Sequence, residues 1–322
     1  MLQSQIKRSV SKNGVISLKY LVRFQSTDKT SPKYLANKSS LPIIENPEMP
    51  KRDIDPKRKL DEPILENPNL KLSKWKKALG ESVISILRID MDNVRGGTIG
   101  GSKYYYMSKE QGLQFKNEQL SETASFWYET LGLPRTFSQW FQITTLHIWI
   151  LFVRMRALPF KESTNYKQRL VDSFFKDIEL KLSEEMNVQS GNIRDNYMKD
   201  FHAQLRGFIF SFDEALATKS PSESDVLFTY SIWRNIFNGD KNVDIVKLES
   251  VLRYIRMQLY VLDKISDRAF GFGDFEFVSP NETVEKLSLK EEEEMKIITK
   301  NRYEPEGVKL LPSLRSRLSM DE

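Results

Sequence analysis

TFSQWFQITTLHIWILFVRMRAL, running from Thr136 to Leu158 and closed by Pro159, decides the fold class. Thr136 is a helix-capping residue, Pro159 is a stop, and the apolar side chains between them cover nearly the whole circumference of the helix they would form. Such a helix belongs in the middle of a bundle. It does not read as a membrane span: Thr144, Thr145 and His147 interrupt the most apolar part and Arg154 and Arg156 close it, whereas a span needs about 20 apolar residues.

Amphipathic segments follow on both sides. Before the central stretch, Leu72, Trp75, Leu79, Val83 and Ile86 keep helical spacing up to Asp90, and a short helix from Thr123 to Leu131 starts at Ser121-Glu122 and ends at Gly132 and Pro134. After it, a helix from about Thr164 to Met186 carries Leu170, Val171, Phe174, Phe175, Ile178 and Leu182 on one face. Asp172–Lys176 and Asp177–Lys181 add i,i+4 pairs on that helix. Asn192 to about Ala217, Glu223 to Phe237 and Asp244 to about Arg268 complete the set. No segment sustains a period of two, so the expectation is an all-α chain with one helical bundle over residues 71–280.

The ends differ in composition. Residues 1–80 hold 17 Lys+Arg against 8 Asp+Glu, which leaves the rest of the chain net acidic although the total is +5. Lys7, Arg8, Lys12, Lys19 and Arg23 all precede the first acidic residue, Asp28. That is the composition of a mitochondrial transit peptide over residues 1–24, with cleavage expected near Phe24. Its removal would leave a nearly neutral protein, which weakens basicity as an argument for nucleic-acid binding. Residues 25–70, rich in Lys, Pro, Asn and Ser, read as a disordered linker. Residues 281–322 read as a charged tail, either a solvated helix or disordered.

Catalytic readings find little support. The absence of cysteine excludes disulfides, thiolate metal sites and thiol nucleophiles. Gly96, Gly97, Gly100 and Gly101 form an expected loop ending in Tyr104-Tyr105-Tyr106. It approaches a P-loop, but Ser102 and Lys103 stand in the reverse order and no strand precedes them. His147 and His202 each sit in an aromatic-rich helix without a nucleophile or second ligand at metal spacing. Asp213 and Glu214 are adjacent and point apart on a helix. The chain is expected not to be an enzyme and to need no cofactor.

Leu131-Gly132-Leu133-Pro134-Arg135-Thr136-Phe137, running into Trp140-Phe141-Gln142-Ile143 and Leu146 to Arg156, resembles the fungal ubiquinol-cytochrome c chaperone family. Three later motifs agree in order and spacing: Leu170-Val171-Asp172-x-Phe174-Phe175-x-Asp177-Ile178-Glu179, then Phe201-x-x-Gln204-Leu205-Arg206-Gly207 with Phe212-Asp213-Glu214-Ala215, then Ile232-Trp233-Arg234-Asn235-x-Phe237. The resemblance covers roughly residues 77–280. It implies an assembly factor for respiratory complex III, on the matrix side of the mitochondrial inner membrane, that pairs with a small helical partner. It also implies binding at the mitochondrial ribosome, promotion of cytochrome b synthesis, and custody of the new cytochrome b. The rival is an RNA- or ribosome-binding translational regulator without a client. Because cytochrome b binds haem through histidine pairs, direct haem contact by His147 and His202 is a further possibility, and it requires both imidazoles to face one plane.

Two surfaces follow as expectations. His147 and Arg154 share one face by their seven-residue spacing, Trp149 and Arg156 share another, and the arginines complement the helix dipole. With Leu146, that helix end is read either as part of a plain core helix whose arginines cap it and reach outward, or as the floor of a groove for partner or client with exposed Arg154 and Arg156 at its rim. Arg206, Gly207, Trp233 and Arg234 are added to the same contact set, Gly207 because a mid-helix glycine permits close approach, either of a partner or of a neighbouring helix inside the monomer. Arg253, Arg256, Tyr260 and Lys264 form a basic sector with one aromatic, read either as a ribosome contact or, since Asp263 and Asp267 dilute its field, as a solvated helix flank.

Overall fold

The structure, a computed structural model, describes residues 73–113, 120–282 and 287–320, and contains no strand among them. The expected transit peptide and linker lie outside the described residues. Helix α1 spans Lys74–Leu87 and ends where Arg88 turns left-handed. Helix α2, Met91–Arg95, runs through a π-helical segment, Gly96–Tyr104, into α3, Tyr105–Glu110. Helix α4, Glu122–Ser125, is capped by Ser121, whose Oγ accepts from the Ala124 amide at 3.2 Å, and continues as a π-helical turn to Thr130.

Helix α5, Phe137–Met155, is the axis of the bundle. Thr136 caps it as expected, its Oγ1 accepting from the Gln139 amide at 3.3 Å, and its side chains are buried nearly all round. Around it stand α6 (Phe160–Leu180), α7 (Gly191–Ala217), α8 (Pro221–Asn235) and α9 (Ile245–Asp263), with α3 against it as well. Trp140 and Trp149 on α5, Phe174 on α6, Phe212 on α7, Phe228 on α8 and Tyr254 on α9 are fully buried and form one continuous core. Helices α7 and α8 make an antiparallel hairpin joined by a short connection that ends on Pro221, a first-turn proline. Helix α10, Asp267–Gly271, and helix α11, Leu289–Tyr303, complete the set.

Four features depart from the sequence reading. The glycines of residues 96–101 are not a loop: the π-helical segment lies along α6, and a Cβ on Gly100 would stand 3.0 Å from the Tyr166 carbonyl oxygen. The missing side chain of Gly100 lets two backbones meet. Helix α6 begins at Phe160, directly after Pro159, rather than at Thr164. The last long helix breaks after Asp263 and restarts at Asp267 under the Ser266 cap. The C-terminal residues are not a free tail, since Tyr303, Leu318 and Met320 are buried and Arg268 donates its amide to the Ser319 carbonyl at 3.0 Å.

Candidate functional site

The two faces expected of α5 are present, and both point inward. On one, burial lowers the His147 imidazole to about 4 and keeps it neutral. Its Nδ1 meets the Ile143 carbonyl at 2.8 Å, so the proton sits there and Nε2 accepts from the Tyr254 hydroxyl at 2.7 Å. Both ring nitrogens are thereby used. His202, exposed on α7, stacks on Phe175 of α6 with centroids 3.6 Å apart. The haem reading fails on this geometry, because His147 has no nitrogen left for an iron.

One turn pair further on, Arg154 is 6% exposed and reaches across to the end of α9. Its Nε donates to the Leu262 carbonyl at 2.9 Å and Nη2 to the Ile265 carbonyl at 2.6 Å. Its Nη1 lies 2.7 Å from the Asp267 carboxylate, also buried, as an ion pair off the hydrogen-bond line. The guanidinium therefore caps α9 from outside and neutralises the first turn of α10. This corrects the expectation of an exposed rim arginine. A Ser-Asp pair following the helical run is a start signature, and it was the available signal for the α9–α10 break.

The other face of α5 meets α7. Trp149, fully buried, donates Nε1 to Asp213 at 2.8 Å, and Arg156 donates Nη2 to both oxygens of the same carboxylate at 2.7 and 2.8 Å. Leu146 is fully buried as well, so neither it nor Trp149 is available to a partner in this conformation. A cleft of about 420 Å³ does open beyond the end of α5, floored by Val153, Arg154 and Ala157. Its far wall is α11 of the same chain, through Met295, Lys296 and Thr299.

The basic flank of α9 is mostly neutralised within the molecule. Arg256 pairs with Asp225 at 2.6 Å, donates to the Ser224 hydroxyl at 2.8 Å and lies over the Phe228 ring. The Tyr260 hydroxyl accepts from the Leu287 amide, and Lys264 meets Glu292 of α11 at 2.7 Å. Arg253 remains exposed.

The α7–α8 hairpin is different. Gly207 is exposed, and no atom of another described element lies within 4 Å of where a Cβ would stand, which overturns the reading of a close contact inside the monomer among the described residues. Ala203 and Arg206 are exposed beside it, and Phe210, on the same side, is 72% exposed. On α8, Val226, Tyr230 and Arg234 are exposed, and Trp233 is half-buried with its Nε1 donating to the Asp240 carbonyl at 2.7 Å. Phe210 went unnoticed in the sequence because it interrupts no motif, although it falls off the buried stripe of Phe201, Leu205, Phe208 and Phe212. Among the described residues no cluster of three or more His, Asp or Glu could hold a metal ion, and no helix is long and apolar enough to cross a membrane.

Residues 129–277 match the family model described as ubiquinol-cytochrome C chaperone. Protein CBP3, mitochondrial, of Saccharomyces cerevisiae is 53% identical over 300 residues, covering 92% of this chain and 88% of that protein. The chain belongs to the ubiquinol-cytochrome c chaperone family. More distant members include ubiquinol-cytochrome-c reductase complex assembly factor 1 of Xenopus laevis, 30% identical over 139 residues that cover 43% of this chain and 64% of that protein. The Homo sapiens assembly factor 1 is 29% identical over 140 residues, 42% of each chain. The crystal structure of the Cbp3 homolog from Brucella abortus aligns over 63% of this chain and 99% of its own, at 17% identity and a TM-score of 0.49.

Proposed function

We propose that this chain is a mitochondrial assembly chaperone for respiratory complex III that acts by binding, without turnover. Its relatives, a mitochondrial protein and reductase assembly factors, support that reading. In it, the chain and a small helical partner hold newly made cytochrome b at the matrix side of the inner membrane, close to the mitochondrial ribosome, and favour cytochrome b synthesis. Arg253 is the ribosome contact of the basic flank, since Arg256 and Lys264 are committed to Asp225 and Glu292.

The observation that carries the reading is the open face of α7. Gly207 costs a mid-helix position about 1 kcal/mol relative to alanine and gains nothing from its own chain. Phe210 beside it leaves a large apolar side chain in water. A helix of partner or client packed across Ala203, Gly207 and Phe210 uses both, the glycine for close approach and the ring as an anchor. Tyr230, Trp233 and Arg234 extend the surface on α8.

Gly207→Leu and Phe210→Asp test this. Both positions are exposed, so thermal stability should change little, while copurification of the partner and of cytochrome b falls by about tenfold or more. Normal capture and normal complex III in both variants would defeat the assignment.

A further inference from the structure

Helix α1 turns its apolar stripe away from the protein. Lys77, Glu81 and Ile84 are its half-buried side, where Glu81 accepts from the Ser313 amide at 3.0 Å and from the Ser313 hydroxyl. On the opposite side Trp75, Leu79, Val83 and Ile86 follow helical spacing, with Trp75 65% and Ile86 78% exposed, and no residue of α1 is buried. Leu87 and Ile89 continue the exposed apolar surface. Phe160 lies close by, because its neighbour Lys161 meets Asp90 at 2.7 Å, and it too is exposed.

The exposed charges of α1 itself have one sign, and the nearest acid beyond it, Asp90 beside Ile89, is paired with Lys161 and Arg317. Lys74 and Lys76 are exposed in the first turn, with the Lys76 ammonium 5.6 Å from the Trp75 ring, and Arg88 is exposed at the far end. The single acidic residue of the helix, Glu81, is on the inward side and held by Ser313. A helix with a tryptophan-led apolar stripe whose own exposed charges are all cations is the pattern that lies in the plane of a lipid surface, apolar side chains among the acyl chains and lysines among anionic headgroups. A protein groove would be met equally well by the stripe, but nothing in a neutral groove answers the cations.

We propose that α1 is a membrane-surface helix that seats the protein on an anionic phospholipid leaflet. The inference deepens the inner-membrane localisation proposed above and is separable from it. Trp75 is its built-in reporter: Trp127, Trp140 and Trp149 are buried, Trp233 is half-buried, and no tryptophan precedes Trp75 in the sequence.

The experiment mixes the full chain with vesicles of about three parts phosphatidylcholine to one part phosphatidylglycerol carrying brominated acyl chains. Bromine should quench tryptophan emission, and Trp75→Phe should abolish that quenching. Replacing Leu79, Val83 and Ile86 by serine should weaken flotation about tenfold or more. Lys74→Glu and Lys76→Glu should each weaken it about fivefold, and pure phosphatidylcholine should bind poorly. Flotation of the triple-serine variant equal to that of the parent would sink the assignment of α1 while leaving the localisation standing. No flotation of the parent chain would overturn both. A triple-serine variant that instead converts a dimer to a monomer by sedimentation, with no quenching in the parent, would make the stripe a self-association face and overturn the proposal.

Discussion

At the scale of the residue, Arg154 shows how a correct periodicity can carry a wrong exposure. Its seven-residue relation to His147 is real, since both face α9, but the side chain enters the interior and caps carbonyls instead of meeting solvent. A sequence gives the face of a helix on which a long side chain starts, and the tip goes wherever another element leaves donors or acceptors unpaired. Here the broken end of α9 and the buried Asp267 supply that demand. Arg154→Glu therefore replaces a paired buried cation by a second anion beside Asp267, and urea unfolding should show a loss of about 3–5 kcal/mol. Arg156→Glu, two residues on at a position more than a third exposed, should cost about 1 kcal/mol or less. Equal, small losses in the two variants would mean that Arg154 is not buried as described.

At the scale of the element, helices with strong punctuation were legible: Thr136 before α5 and Ser121 before α4 mark starts by local chemistry, whereas α8 opens on Pro221, two residues ahead of the expected Glu223. The glycine-rich segment was not legible, because Gly96, Gly97, Gly100 and Gly101 signal a turn when read locally, and Gly96, Gly100 and Gly101 acquire their purpose only against α6. The small-residue spacing of four was the available hint, and it competes with the low helix propensity of glycine. The structure separates these glycines sharply. A Cβ on Gly100 meets Tyr166 backbone atoms at 3.0 and 3.2 Å, which cannot rotate away, whereas one on Gly97 meets nothing. Gly100→Ala should destabilise by about 1–3 kcal/mol, and Gly97→Ala should be neutral or stabilise by up to about 1 kcal/mol. Chemical denaturation of the pair is the check, and matched effects of one sign would contradict the close α6 contact.

At the scale of the whole molecule, the C-terminal residues bind together parts of the chain that are far apart in sequence. Burial pushes the Asp92 carboxyl up, but the Arg317 amide at 2.9 Å, Arg95 at 2.7 Å and the Ser316 hydroxyl at 2.7 Å together hold it below its ordinary value. Arg95 donates to the Ser313 carbonyl at 3.0 Å, and Leu318 fills the space over Gly271, where a Cβ would overlap it. Composition could not reveal this, since the side chains of Arg315 and Arg317 are exposed, as a charged tail predicts, and it is their backbones that serve buried groups: the Arg315 carbonyl accepts from Arg95 and the Arg317 amide donates to Asp92. The principal packing of α1 is against Pro312–Leu314. A chain ending at Leu311 should therefore release α1 while α5 to α9 keep their shared core. Amide hydrogen exchange across Lys74–Leu87 should accelerate by about tenfold or more in the shortened chain, with α5 little changed. Leu318→Ala should destabilise by about 2–5 kcal/mol through the cavity it leaves, yet should spare α1, because Ser313 still holds Glu81. Unchanged exchange in α1 after truncation would show that some other contact holds the helix, and the C-terminal segment would lose its role as the clasp between α1, α2 and α10.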